Sequence, residues 1–452
     1  MKLAVAASLA LWAALSLVPR SRPVPAPSNA PAAEFSAGRA FDHVRVMAQK
    51  PHPTGTAEHD RVRDYVASEI ARLGLAPQIE SGYAEFTRGR FHGSGNVQNI
   101  VARLAGTANT RPVMLAAHYD SVTRGPGAGD DGHGVAVLIE TLRALGAGPP
   151  LRNDVIFLIT DGEERGLLGA QVFMRDHPWR SEPGVTLNFE ARGTSGSAVM
   201  FETSAGNEWL IRGLQSAVPQ ADATSVAYEI YRRMPNDTDL TVFKAGGLAG
   251  MNFAFIEHPE YYHTAQDTVE HLDPVSVQEQ GRYALALTRW FGNRDLLVQS
   301  SGAVRPAGDA VYFATAFTPL IVYPVWFARA LAVIVLLGAI VAAWARPWIG
   351  VPLLLLGGLD LWMAMTAPGV SYLIAWPLLG AAIATLAGRR ALVLALAAAP
   401  GFLLIVPLDS SLIVALSLRG AAPILAAAAA LLLLCLLPQL AFLFTRRPAS
   451  RS

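Results

Sequence analysis

Short apolar runs alternate with stretches of helical spacing through the N-terminal two-thirds of the chain. Val113–Ala117 is one such run, and it predicts a buried strand. It ends in His118-Tyr119-Asp120, after which glycines at 125, 127 and 129 mark a loop that delivers Asp130-Asp131. From Gly132 the pattern turns helical, with Val135, Leu138 and Ile139 on one face. Comparable runs predict strands at Asn99–Leu104, Asp154–Thr160, Val185–Phe189 and Met251–Ile256. Helical spacing marks Ala37–Ala48, Glu58–Leu73, Arg165–Asp176 and Pro274–Phe291. Strands in alternation with helices predict an α/β fold, a mostly parallel mixed sheet with helices on both faces.

The pattern changes near Trp326. Apolar runs at 326–345, 349–367, 370–388, 391–408 and 421–444 are each near the ~20 residues that a spanning helix needs. Pro400-Gly401 and Pro407 interrupt the fourth, and Val311–Tyr323 reads as a strand or an interfacial piece. At the N-terminus, Lys2 precedes an apolar run from Leu3 to Val18, then Pro19-Arg20-Ser21-Arg22. This is a signal peptide or a signal anchor; no small-x-small site follows directly, which favours the anchor. The expected organisation is a signal segment at 1–24, a Pro/Ala-rich linker at 25–36 and a soluble domain at 37–300. A connecting segment at 301–325 and an all-α, multi-helix transmembrane domain at 326–446 follow.

Composition agrees with that division. Of 452 residues, 52% are hydrophobic and only 16% charged, and the excess lies in the C-terminal third. From Trp326 onward the only acids are Asp360 and Asp409, and there is no lysine. Arg346, Arg389-Arg390 and Arg446-Arg447 fall at every second helix end, which assigns those ends and the C-terminus to the cytoplasm. Six helices, counting the N-terminal one, then place the soluble domain on the other side, periplasmic, extracellular or lumenal. Asp360, alone inside a span, is a functional suspect; a buried partner for a neighbouring helix is an equal reading. The membrane half reads as an anchor or interaction module in lipid. A net charge of +1 gives no reason to expect nucleic acid,. The single cysteine, Cys435, excludes an internal disulfide framework and a thiolate metal site. The oligomeric state is not legible.

The polar residues of the soluble domain collect at strand ends, where open α/β sheets bind ligands. His118 follows one strand and Asp161-Gly162-Glu163-Glu164 another. Glu190 ends a third, and His263 lies in the loop after a fourth. Two histidines and several carboxylates without thiols suit zinc, or manganese or cobalt in a similar geometry. The donors exceed what one zinc needs, which a carboxylate bridging two ions would explain. A leftover carboxylate would then serve as general base on the attacking water. Two adjacent glutamates fit that division of labour.

HYDS, GAGDDGHG, DGEERGLLGA, NFEARG and YYHTAQDT occur in this order, and together they resemble the M28 family of zinc aminopeptidases. The resemblance covers about Ala37 to Phe291 and implies a zinc exopeptidase-like fold with two Zn2+ per chain. Matched residue by residue, it implies Asp130 as the bridging carboxylate. His118 and Glu190 would complete one site, Glu164 and His263 the other. Glu163 would be the general base, and Asp120 the partner that orients His118. It also implies a cis peptide between Asp130 and Asp131. Many members carry Asp where this chain has Glu190. The branch with a membrane-embedded C-terminal region, which resembles the endoplasmic-reticulum and vacuolar membrane metalloproteases, shares a glutamate there and an NDTDLTVF-like stretch.

Weaker candidates surround this set. Asp237 and Asp239 are candidates for contacts around the ligands or to a substrate amine, although Asn236-Asp237 reads equally as a turn. Tyr262 is a candidate pocket wall and Arg192 a contact for a substrate carboxylate. Packing and solvated surface are the plainer readings of these two. His133 and His271 read as structural. The expected activity is a membrane-anchored two-zinc peptidase acting on peptides, most simply at the N-terminus. A single-zinc, glutaminyl cyclase-like acyltransferase and a non-catalytic, receptor-like relative are the alternatives. Side-chain preference is not legible.

Overall fold

The computed structural model describes residues 1–297, 308–388 and 390–445. The chain divides into two compact units, Arg22–Asp309 on one hand and Met1–Ser21 with Ala310–Ser452 on the other.

The Arg22–Asp309 unit is built on an eight-stranded sheet. Its strands are β1 (Gln78–Arg88), β2 (Phe91–Leu104), β3 (Val113–His118), β4 (Val155–Thr160), β5 (Val185–Ala191), β6 (Val199–Thr203), β7 (Asp222–Ala223) and β8 (Gly250–Phe255). Their order is β1-β2-β4-β3-β5-β8-β6-β7. The centre is parallel, β3 with β4 and β5, and β5 with β8. β1 with β2, β2 with β4, and β6 with β8 are antiparallel. All six residues of β3, β4 and β8 and all seven of β5 are buried, the pattern of strands covered on both faces,.

Strand periodicity divides the core. Met114, Ala116, Ile156 and Leu158 pack with Ala170 and Phe173 of helix Leu168–Asp176 and with Leu240 and Phe243 of helix Asp239–Ala245. The alternate residues Phe157 and Ile159 face Ile70, Leu138, Ile139 and Leu142 from the helices Ala57–Arg72 and His133–Gly146. Side-chain caps start the helices that frame this face: Ser36, Thr56 and Asp273 accept first-turn N–H groups, and Pro274 opens the last helix, Pro274–Gly292,. After β3 the chain moves to one side to form β4, then returns past β3 to form β5. That reversal puts the switch point of the sheet at the carboxyl end of β3, where His118 sits,.

Two regions differ from the expectation. The β1–β2 hairpin, paired from Gln78↔Val101 to Arg88↔Phe91, extends the predicted strand far upstream. The stretch expected as a linker is held to this unit. The Ala26 N–H donates to Gln278 Oε1 at 2.8 Å, and just before the linker Arg22 pairs with Asp273 and Glu279, each at 3.3 Å.

In the other unit, Ala310–Thr315 and Thr318–Pro324 form an antiparallel hairpin. Residues 301–307 of the expected connecting segment lie outside the described residues. Among the described residues, Val325–Ala345, Pro347–Thr366 and Pro368–Ala387 are long and apolar enough to cross a membrane. Gly420–Cys435 and Leu437–Phe444 form a further apolar pair bent by 55°. The other two expected spans are shorter helices, Lys2–Ser16 and Ala391–Pro407. At 1.5 Å per residue the first covers about 22 Å, short of a hydrocarbon core of ~30 Å. Small residues let the helices approach: a Cβ on Gly350 would collide with the backbone nitrogen of Ala343,. Asp360 is fully buried, with neither carboxylate oxygen hydrogen-bonded.

Candidate metal centre

Three strand ends and two loops bring the predicted donors together. His118 ends β3, Glu190 is the penultimate residue of β5, and Glu163 and Glu164 follow β4. Asp130 lies in the turn before helix His133–Gly146, in a cis peptide bond with Asp131. His263 lies beyond β8 in the left-handed region, at φ 59°, an uncommon conformation for a residue with a Cβ.

Asp130 is the hub. Its Oδ1 is 3.2 Å from His118 Nε2, and its Oδ2 is 3.0 Å from His263 Nε2. Glu190 Oε2 approaches His118 Nε2 at 3.7 Å, and Glu164 Oε1 lies 3.0 Å from His263 Nε2. Two donor triads therefore form, His118–Asp130–Glu190 and Asp130–Glu164–His263, with one Asp130 oxygen in each. Asp130 Oδ2, Glu164 Oε1 and His263 Nε2 are buried and, apart from their approach to one another, without a hydrogen-bond partner. Three converging, unsatisfied donors of carboxylate and imidazole type are the chemistry a zinc-like cation requires, so the residues fit the group.

Backbone contacts fix these side chains. His118 Nδ1 lies 3.0 Å from the Asp120 carbonyl oxygen. Donation there leaves the Nε2 lone pair facing the donors. The Asp120 carboxylate is farther from Nδ1, at 3.5 Å, and instead accepts the N–H groups of Glu163 at 3.0 Å and Glu164 at 3.3 Å. The family resemblance implies that Asp120 orients His118; the closer contact to the ring is the Asp120 main chain.

Asp267, which the sequence reading did not single out, grips the Asp130 turn. Its carboxylate accepts the N–H of Gly129 at 2.6 Å and of Asp130 at 3.0 Å. A Cβ on Gly129 would stand 2.8 Å from Asp267 Oδ1, so only glycine permits this approach,. The one sequence signal was its place in the QDT segment just after His263.

Electrostatics mark the cluster as overcrowded with acid. Burial pushes the Glu164 and Glu190 carboxyls up to about 8, and the charge of Asp130 adds to it. Burial also pushes Glu163 well above the usual carboxylate range, with Glu190 and Glu164 adding to the shift. Burial opposes the charge on His118, yet its bonds to Asp120 and Asp130 prevail and raise it well above the ordinary histidine value. Burial likewise opposes charge on His263, but Asp130 and Glu164 lift it to about 10.

The weaker candidates separate. Asp239 is buried beside the cluster and accepts the Thr160 hydroxyl. Asp237 pairs instead with Arg88. Tyr262 stacks on His263, with ring centroids 3.7 Å apart. Arg192 continues the chain from β5, its N–H donating to the Phe255 carbonyl. His133 is buried between Gly129 and Gln280, and His271 packs on Tyr261.

Residues 99–288 match Peptidase family M28. Endoplasmic reticulum metallopeptidase 1 of Rattus norvegicus is 31% identical over 312 residues, covering 64% of this chain and 34% of that protein. Vacuolar membrane protease of Candida albicans is 34% identical over 236 residues, covering 51% and 27%. The chain thus spans about a third of the length of the first of these relatives and about a quarter of the second. Among solved structures, the glutaminyl cyclase of Porphyromonas gingivalis superposes with a TM-score of 0.46 at 24% identity, covering 56% of this chain and 98% of that one.

Proposed function

Residues 99–288 of this chain are a peptidase family M28 domain, and from that premise we propose that it is a membrane-anchored two-zinc metallopeptidase that removes N-terminal residues from peptides. The observation that carries the two-metal reading is the division of Asp130, one oxygen in each of two donor triads. His118, Asp130 and Glu190 would hold one zinc, and Asp130, Glu164 and His263 the other.

Zinc held by these residues would supply Lewis acidity for a peptide carbonyl and a water molecule. Glu163 would act as general base, taking a proton from the attacking water and returning it to the leaving amine. Its two neighbours define its position: Glu164 turns to His263, while Asp120 holds the Glu163 and Glu164 N–H groups. Buried among acids, Glu163 has a raised proton affinity, which suits a carboxylate that must hold a proton during turnover,.

Anchoring is supported by the apolar helices and by their tryptophans. Trp326 and Trp344 are exposed at opposite ends of helix Val325–Ala345. Their separation of about 27 Å along the helix suits two membrane interfaces. The Lys2 ammonium donates to the carbonyls of Leu443 and Thr445 at 2.6 and 2.7 Å, which brings the two chain ends of this unit to one side. With Arg346 and Arg390 between helices, that side is assigned to the cytoplasm and the peptidase to the opposite one. Arg389, Arg446 and Arg447 lie outside the described residues.

The test is hydrolysis of aminoacyl chromogenic substrates and free-amine peptides, with zinc content per chain measured alongside. Cleavage with two zincs per chain is expected. Two zincs without cleavage of any free-amine substrate would remove the aminopeptidase assignment and direct the search to blocked or glutaminyl substrates.

A further inference from the structure

Asn188 and Glu190 are two residues apart on β5, so they face the same side of the sheet,. Asn188 is in register with Asn252 on the neighbouring β8, and Asn252 with Glu202 on β6. A polar rung thus crosses three strands of the sheet. Asn188 and Asn252 are completely buried, and Glu202 is nearly so.

Hydrogen-bond polarity orients the whole rung. Lys244 can only donate, and its ammonium pairs with Glu202 Oε1,. Glu202 can only accept, so Asn252 presents its amide nitrogen, 3.2 Å from Glu202 Oε2 and 2.7 Å from Thr238 Oγ1. The Asn252 carbonyl is then left to accept, and it does so from Asn188 Nδ2 at 3.1 Å. The same nitrogen donates its second hydrogen to Glu190 Oε1, also at 3.1 Å. Reversing either amide would set acceptor against acceptor at a buried contact.

This leaves the two Glu190 oxygens unequal. Oε1 is engaged from below, while Oε2 is the oxygen that faces His118 Nε2. We propose that Asn188 is a positioning residue that restricts Glu190 to one-oxygen ligation of its metal, with Asn252, Glu202 and Lys244 holding the Asn188 amide in the required sense. The inference rests on the two-metal reading above. One oxygen from Glu190, with His118 Nε2 and Asp130 Oδ1, makes three protein donors and keeps a position open for substrate. A glutamate is longer than an aspartate and freer to chelate with both oxygens; the tie to Oε1 removes that freedom.

The detergent-solubilised full chain tests this in two ways. In a crystal structure of the zinc-loaded wild type, Glu190 Oε2 is expected at a bonding distance of about 2.0–2.2 Å, with Oε1 beyond bonding distance and on Asn188. Both oxygens at bonding distance would overturn the proposal, whatever the variants do. In Asn188→Ala, chelator competition is expected to show one of two zincs held about 10–100-fold more weakly, the usual effect of losing such a support. The other zinc is expected to be unchanged. Cobalt substitution is expected to give a weaker visible band as Glu190 takes up its second oxygen. A folded Asn188→Ala with wild-type affinities and cobalt spectrum would overturn the proposal while leaving the two-metal reading intact. A wild type that binds no divalent ion would overturn both.

Discussion

The carboxylate of Asp120 accepts the backbone N–H of Glu163 at 3.0 Å. The same residue turns its carbonyl oxygen to His118 Nδ1 at 3.0 Å and its other carboxylate oxygen to the Glu164 N–H. One aspartate therefore ties the β3 end, which carries an imidazole donor, to the loop after β4, which carries both the proposed base and a second donor. Asp120→Asn replaces one acceptor oxygen with an amide that cannot accept, so one of the two N–H groups loses its partner. The expected result is a fall in kcat of about 10–100-fold with the fold retained. Steady-state kinetics beside a thermal melt check it; wild-type kcat would remove Asp120 from the active arrangement.

Glu163→Gln separates the base from the ligands. Glutamine keeps the size and the backbone bonds to Asp120 but cannot take a proton. The expected loss in kcat is about 10²–10⁴-fold, with zinc content unchanged because neither donor triad contains Glu163. Loss of zinc together with activity would instead make Glu163 a ligand.

How far this centre was legible follows from where its signals lie. His118, Glu163, Glu164 and Glu190 each end or follow an apolar run, so hydrophobic pattern alone located them at one rim of a sheet. His263 follows the Met251–Ile256 run in the same way, a few residues farther into its loop, whereas Asp130 sits in a glycine-marked loop and its bridging role came from the motif resemblance. Asn188 is hidden inside the same apolar run that revealed Glu190, and its role depends on the register with Asn252 on a strand more than sixty residues away. The β1–β2 hairpin was illegible for another reason. Residues 78–98 are rich in glycine and polar side chains, and the hairpin is held by strand pairing and by tertiary contact. Gly82, for example, leaves room for Val172 at the distance a Cβ would occupy.

Asp267 holds the Asp130 turn through two main-chain N–H groups, so its removal acts on both triads at once. Asp267→Ala leaves the buried N–H groups of Gly129 and Asp130 without acceptors, at about 1–3 kcal/mol each. Both zincs are expected to weaken together, with a lowered melting temperature that added zinc partly restores. Glu190→Ala, which touches one triad, is expected to release one zinc and retain the other. Metal analysis after dialysis distinguishes the two patterns; loss of a single zinc from Asp267→Ala would contradict the hub role of Asp130.

Removing the metal exposes the protonation of the cluster. In the metal-free protein Glu164 and Glu190 hold protons up to about pH 8, against 4.5 for the ordinary side chain. His263 holds one up to about 10, against 6.5. The native state therefore binds more protons than the unfolded chain through this range. The contribution of Glu164, Glu190 and His263 to its stability is fully present below the unfolded values and is lost as pH rises through the folded ones. A metal-stripped sample is expected to melt at a lower temperature at pH 8 than at pH 5. Zinc reverses the trend, because binding requires the deprotonated donors and gains affinity as pH rises. At pH 7 the uptake of zinc must then release protons. Titration calorimetry in buffers of different ionisation enthalpy reads that release directly, and binding heats independent of the buffer would contradict the protonated state of these two glutamates.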